Sequence, residues 1–450
     1  MATPVSEAPP SVRADARAMR LSEALGGVWE GDGHARVCVI TRRYAASLVY
    51  GQASVADAAT ALAAHASAAA LLITGTVSPP VPPFVFFDLE TTGLSGGAGT
   101  QAFLAGCGRF EADGGFVIEQ YLLPSPTAER AMLARLSATL GTAGTLVTFN
   151  GKSYDAPLIE SRFHLHGLPW MHDALPHLDV LHPARRFWGQ GREEGCSLVT
   201  LERRVLGVGR DGDVPGAEIP GRYFGFLRTG DPAPLEAICE HNRRDLLSLG
   251  VLTARLVALL ARGHDATDDA WEALALGRTY EASGRADAAV QAWHHAAQLS
   301  APVSPPRGGT PLGSAPRGPR AARAEARRSE ARAAAHAALA RAARRARAWD
   351  AAAEAWQVVV EEPACPAALA REAREALAVH FEHRAPDLGL ARRFAEASLE
   401  GEDRGAWGDA VRHRLARLDR KLLSGRGPLF PSSPSPQPSG PRTSGRRTSS

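Results

Sequence analysis

Lysine is nearly absent from this 450-residue chain: Lys152 and Lys421 are the only two, so almost all of its 51 basic groups are arginines. Long apolar runs are missing as well. The nearest approach to one, residues 58–73, is alanine-rich and interrupted by His65, so no membrane-spanning helix is expected. The first thirty residues lack the basic, apolar, small-residue order of a signal peptide, so export is not expected either. Cysteine is sparse: Cys38, Cys107, Cys196, Cys239 and Cys365 are odd in number and never spaced as CxxC. That excludes a disulfide scaffold and a zinc ribbon, and fits a reducing, cytoplasmic compartment. Aromatic residues make up 6% and form no clustered platform for stacking bases.

Ordinary globular composition remains, with 45% hydrophobic and 22% charged residues, and the length calls for more than one domain. Charge is unevenly placed. Residues 81–260 hold 16 basic and 20 acidic groups, and residues 261–450 hold 29 and 22. An acidic middle beside a basic half fits a carboxylate–metal site next to a polyanion-binding surface.

Along the chain, residues 1–18 read as a disordered tail and 19–80 as an N-terminal extension packing on the domain that follows. Residues 81–262 read as α/β. The apolar runs 84–89, 102–110 and 116–123 are strands separated by glycine-containing turns, hence an antiparallel meander. Strands near 146–149 and 177–181 then alternate with helices over 128–140, 153–166 and 234–260, predicting a mixed sheet flanked by helices. Residues 265–423 turn to alanine-rich helical periodicity. Leu276-Gly277-x2-Tyr280 and Ala289-x3-Trp293-x2-Ala296 hold small and large residues at the offsets of a tetratricopeptide hairpin. Weaker copies lie at Ala352/Trp356 and at Leu377/Phe381/Phe394/Ala397, and a helical bundle without true repeats stays open. A Pro/Gly/Arg-rich insertion near 302–320 interrupts the helices, and 424–450 is a basic Ser/Pro tail expected to be disordered.

The chemistry concentrates at Asp88-Leu89-Glu90-Thr91-Thr92-Gly93-Leu94. Asp88 and Glu90 end a buried apolar strand and, two residues apart, share a face. Paired carboxylates repel and are costly to bury, and a divalent cation relieves both; hard oxygen donors select Mg2+ or Mn2+. Alone, the pair reads equally well as a solvated acidic turn. Two further segments add acids: Asn150-Gly151-Lys152-Ser153-Tyr154-Asp155, where Asp155 opens a helix after a strand, and His241-x3-Asp245, whose i,i+4 spacing puts both residues on one helical face.

As a set, Asp88, Glu90, Asp155 and Asp245 with His241 resemble the DEDD 3′–5′ exonuclease superfamily of ribonuclease H-like fold. More closely, the chain resembles bacterial ribonuclease H-like predicted exonucleases that carry C-terminal tetratricopeptide-like repeats. The shared residues are Phe86–Leu94 with Gly96 and Gly97, Phe149–Ser153, Cys196-Ser197-Leu198 with Leu201-Glu202-Arg203, Asp213–Gly216, Arg228–Asp231 and His241-Asn242-x2-Asp245. One departure is that His241 stands four residues before Asp245, the spacing of the superfamily's Tyr-type enzymes rather than its His-type.

The resemblance implies an α/β ribonuclease H-like nuclease domain followed by an all-α repeat domain. It implies two Mg2+ or Mn2+ ions held by Asp88, Glu90, Asp155 and Asp245, one activating water and the other stabilising the leaving oxygen. His241 would orient or deprotonate the water. Thr91, Asn150, Lys152 and Tyr154 are the expected substrate contacts, and DNA or RNA, as single strands or duplex ends, the expected partner. A nucleic-acid-binding scaffold with little turnover and a structure-specific endonuclease both remain open. Between Arg317 and Arg347, ten arginines face two glutamates, a run suited to a phosphate backbone, to an acidic protein partner or simply to solvent. Gly151-Lys152-Ser153 is not a P-loop, since Leu146 stands where that motif needs glycine. Asp179, at a strand end, is expected to cap the following helix rather than serve as a fifth acid.

Overall fold

A computed structural model describes residues 10–31, 36–73, 78–93, 99–170, 174–189, 195–302, 318–399 and 405–424. Its strands are β1 (Gly27–Glu30), β2 (Val37–Tyr44), β3 (Val49–Tyr50), β4 (Ala53–Ser54), β5 (Phe84–Thr91), β6 (Ala102–Phe110), β7 (Phe116–Leu122), β8 (Thr145–Thr148) and β9 (His177–Asp179). Seven form one sheet in the order β1-β2-β7-β6-β5-β8-β9, while β3 and β4 make a separate hairpin. The ladder from β1 to β5 is antiparallel, and β8 and β9 then add in parallel, giving the mixed sheet expected from the sequence. Phe84, Val85, Phe86 and Phe87 are all buried, as a central strand covered on both faces requires.

The helices of the first part are α1 (Pro10–Leu25), α2 (Val55–His65), α3 (Glu129–Leu140), α4 (Asp155–Leu165), α5 (Leu181–Trp188), α6 (Leu198–Leu201), α7 (Ile219–Thr229), α8 (Ala233–Arg262), α9 (Ala270–Ala282) and α10 (Ala286–Leu299). Those that follow are α11 (Pro319–Arg345), α12 (Trp349–Glu361), α13 (Ala367–His383), α14 (Leu388–Ser398) and α15 (Ala406–Ser424), so the C-terminal region is all helical. The 30-residue α8 lies across β5, β6 and β7. It comes close because β6 offers glycine beneath it: a Cβ on Gly106 would lie 2.3 Å from Asn242 Oδ1 and 2.6 Å from Leu246 Cδ1.

Three expectations about organisation change. Residues 10–18, expected in a disordered tail, are helical, because α1 begins at Pro10, where proline suits a first helical turn, and residues 1–9 lie outside the described residues. That helix is pinned by buried Leu21 and Leu25 and by Arg17, whose Nη2 donates to the Phe226 carbonyl at 3.1 Å. Residues 19–80 do not merely pack on the domain, since β2 pairs with β7 and, with β1, extends the sheet. Val37 to Ile40 are buried at every position, the mark of a strand covered on both sides.

The chain divides into compact units at Ala335/His336, within α11, rather than near 262–265. The first helical hairpin therefore belongs with the sheet. Buried Glu272 of α9 accepts from Trp188 Nε1 at 2.7 Å, and Tyr280 donates to the Leu260 carbonyl at 2.8 Å. Within the hairpin, Gly277 leaves room for Trp293, whose Nε1 would sit 2.1 Å from a Cβ there. In the second unit the buried Glu382 side chain is gripped by Arg417 through two 2.7 Å bonds and by Lys421 at 2.9 Å, which hold its pKa down at about 2. Residues 303–317 of the expected insertion, and 425–450 of the expected tail, lie outside the described residues.

Candidate active site

The ladder sets one line of residues across the sheet: Ile40 pairs with Gln120, Gln120 with Gly106, and Gly106 with Asp88. Gln120, fully buried, reaches over Gly106 and donates to Asn242 Oδ1 at 2.8 Å. Asn242 in turn donates to Asp88 Oδ2 at 2.8 Å. Asp88 is thus fixed from behind by a relay of amides. Glu90 shares its face one pleat further on, before a bulge that shifts the register at Glu90/Thr91.

The third acid comes from the β8–α4 connection. Asn150 adopts φ 68°, a left-handed conformation that asparagine tolerates. Asp179 clamps this turn: Oδ1 accepts from the Asn150 amide at 2.7 Å and from the Leu181 amide at 3.1 Å, and Oδ2 from the Lys152 amide at 3.1 Å. Asp179 therefore caps and ties loops, in line with the cap expected of it. The turn delivers Asp155 to the first position of α4.

The fourth acid and the histidine stand one turn apart on α8. His241 Nδ1 lies 2.9 Å from both oxygens of Asp213. Because a carboxylate only accepts, Nδ1 carries the hydrogen and Nε2, 3.7 Å from Asp245 Oδ2, keeps its lone pair while the ring is neutral. Burial tends to raise the Asp213 pKa, but bonds from His241 and Arg210 hold it below the usual range, so Asp213 is an anion. Arg210 bonds Asp245, donates to Asp213 at 3.0 Å, and forks onto Glu202 at 2.5 and 2.6 Å. Glu202 lies in a π-helical turn over Glu202–Leu206 and also accepts from Ser248, which pairs with Tyr50 at 2.6 Å.

All four acids and His241 line one open groove of about 670 Å³, together with Thr91, Tyr154 and residues of α4. The electrostatics are those of crowded anions. Burial first, then Asp245, Glu90 and Asp155, push the Asp88 pKa well up, with Asn242 opposing. Burial, Asp245, Asp155 and Asp213 do the same to Glu90, and burial carries Asp155 up to about 7. Arg210 opposes this only in part, and the set offers hard oxygen donors of the kind that suit a divalent ion. As placed, no three His, Cys, Asp or Glu side chains among the described residues form a ready ligand group, and Arg210 holds Asp245.

Of the expected substrate contacts, Thr91 and Tyr154 line the groove, and Tyr154 is 57% exposed. Asn150 and Lys152 are not among its lining residues; their backbone amides are bound to Asp179. Two sequence motifs of unassigned role acquire one. Asp213 orients His241, and Arg228–Asp231 stops α7 at left-handed Gly230 (φ 76°) before Asp231 caps α8 through the Ala233 amide at 3.1 Å. Arg210, Gln120 and Asn242 carried no sequence signal of their own beyond Asn242's place beside His241.

A family model of the RNase_H superfamily matches residues 85–257, the span from β5 into α8. The chain is also similar to the uncharacterized protein YprB of Bacillus subtilis (strain 168), at 35% identity over 212 residues that cover 46% of this chain and 49% of that protein. It thus matches about half the length of that relative. The matched span and the mixed sheet flanked by helices identify a ribonuclease H-like domain followed by an all-helical region.

Proposed function

We propose that this chain is a metal-dependent nuclease that hydrolyses phosphodiester bonds, acting as a 3′–5′ exonuclease on single strands or duplex ends of DNA or RNA. The observation that carries this reading is the meeting of Asp88, Glu90, Asp155 and Asp245 with His241 on one groove. Asp88, Glu90, Asp155 and Asp245 would hold two Mg2+ or Mn2+ ions, which supply charge neutralisation at the phosphate and acidify water. The chain's own residues do the rest. Asn242 fixes Asp88, Asp213 fixes the His241 ring, and Nε2 of His241 accepts a proton from an attacking water. The helical region serves as a binding surface for nucleic acid or a partner protein.

A second reading, a nucleic-acid-binding scaffold with little turnover, is favoured by the bond between Arg210 and Asp245, which occupies one of the four acids. Single-stranded DNA and RNA, each labelled at the 5′ or the 3′ end and incubated with Mg2+, Mn2+ or EDTA, separate the two. A metal-dependent ladder from the 5′ label with early mononucleotide release from the 3′ label, lost in Asp88→Ala, supports the exonuclease. Binding without cleavage under every condition supports the scaffold.

A further inference from the structure

Asp155, Leu158, Arg162 and Leu165 recur at i, i+3, i+7 and i+10 along α4, one face of the helix, and all four line the groove that holds the acids. Two features of that face are unusual. Leu165 turns 66% of its surface to solvent, and Tyr154, at the other end, 57%. Between them, Arg162 is held rigidly from behind: Nε donates to Glu129 Oε1 at 2.6 Å and Nη2 to Oε2 at 2.5 Å. The Glu129 side chain is 2% exposed and also receives Gln101 at 2.8 Å and His166 at 2.8 Å. Nη1 makes no hydrogen bond to any described residue, and the side chain keeps 12% of its surface open. A guanidinium with one edge fixed, on a residue that lines the groove, is pre-organised for an anion.

We propose that Arg162 forms a phosphate subsite for the strand being cleaved, flanked by Tyr154 and Leu165, which contact bases through their exposed side chains. This deepens the nuclease reading and rests on it. Seven residues of α-helix separate Arg162 from Asp155 by about 10 Å. At about 3.4 Å per stacked nucleotide, that reaches roughly the third nucleotide from the acids. The subsite therefore acts only on strands long enough to arrive there, and it selects an unpaired strand through its phosphate, without regard to sequence.

The test compares the wild type with Arg162→Gln and Leu165→Asp on two kinds of substrate. One is the p-nitrophenyl ester of thymidine 5′-monophosphate, which has a single phosphodiester and nothing beyond it. The other is a series of single-stranded DNA and RNA oligonucleotides from two to eight nucleotides. Arg162→Gln is expected to match the wild type on the ester and the dinucleotide, and to raise KM about tenfold once the strand exceeds roughly four nucleotides. Leu165→Asp, which leaves the Glu129 pair intact, is expected to show the same length dependence. An equal loss on every substrate, or no loss on any, overturns the proposal. Binding of a fluorescent octanucleotide to Asp88→Asn in EDTA distinguishes its failure from that of the nuclease reading. If the wild type cleaves nothing but binding weakens with Arg162→Gln, the phosphate contact stands while its role in cleavage falls with the nuclease reading. If the wild type neither binds nor cleaves, both fall.

Discussion

Asn242 donates to Asp88 Oδ2 at 2.8 Å across 154 residues of chain, and it does so over a position, Gly106, where any side chain would collide with it. Gly106→Ala is therefore expected to push Asn242 and Leu246 off β6 and to free Asp88. Overpacking of this kind costs about 1–3 kcal/mol. Asn242→Ala relieves the closest part of the clash, leaving Leu246 Cδ1 at 2.6 Å, while the Gln120 amide loses one of its two acceptors and keeps the Cys239 carbonyl at 2.9 Å. The two effects share one space, so Gly106→Ala/Asn242→Ala should destabilise by less than the sum of the single changes. Urea unfolding of the four proteins measures this, and strict additivity would remove the relay from the account.

A second expectation concerns the anion cluster. Asp155 is an acid whose folded pKa, about 7, stands above its ordinary 3.8. The native state thus holds a proton that the unfolded state has released. Its contribution to stability is present below about pH 4 and is lost as pH rises through 7, and Asp88 and Glu90 act in the same direction. Metal-free protein should lose melting temperature between pH 5 and 8, apart from whatever other groups add. Asp88→Asn should flatten that loss, and a bound divalent cation should reverse it. Thermal melts in EDTA and in Mg2+ across that range decide the matter; a cluster-independent pH profile would count against mutual repulsion.

The acids were legible in the sequence because a strand's period of two and a helix's first turn are local rules, so Asp88, Glu90 and Asp155 could be placed from neighbours within a few residues. The meander and the parallel additions followed from strand and turn spacing in the same way. What supports those acids was not legible. Gln120 to Asn242, Arg162 to Glu129 and Arg210 to Glu202 are partnerships made by tertiary approach, and nothing local marks a buried glutamine or arginine as paired. The joining of β1 and β2 to the sheet was hidden for a related reason. Residues 37–44 carry a four-residue buried run followed by alternation, Val37–Ile40 and then Thr41–Tyr44, too short to reveal which edge they extend.

His241 gives a kinetic prediction. Its Nδ1 bond to Asp213 fixes the ring, so His241→Ala should lower kcat by about 10²–10⁴-fold if Nε2 takes the proton. Asp213→Asn leaves the imidazole in place but removes the charge that orients it, and should cost about tenfold to a hundredfold, as outer partners of site residues commonly do. Both losses should appear in kcat with KM little changed. Steady-state kinetics on a strand of eight nucleotides provides the comparison, and a loss confined to KM would move His241 from proton transfer to substrate binding.

Arg210 carries the last prediction, which separates stability from chemistry. The Glu202 side chain is 0% exposed and depends on Arg210 and Ser248. Arg210→Met leaves that carboxylate buried without its cation, a loss of about 3–5 kcal/mol. Glu202→Gln/Arg210→Met removes both charges and should recover most of it, because an amide still accepts from Ser248. The double variant also frees Asp245, whose oxygen Arg210 holds. If that bond competes with metal, half-maximal activity should come at lower Mg2+ in the double variant than in the wild type. If Arg210 instead positions Asp245 for the metal, the requirement should rise. Denaturant unfolding checks the first half and a Mg2+ titration of cleavage the second, and a double variant as unstable as Arg210→Met would show that the fold needs the arginine for more than its partner's charge.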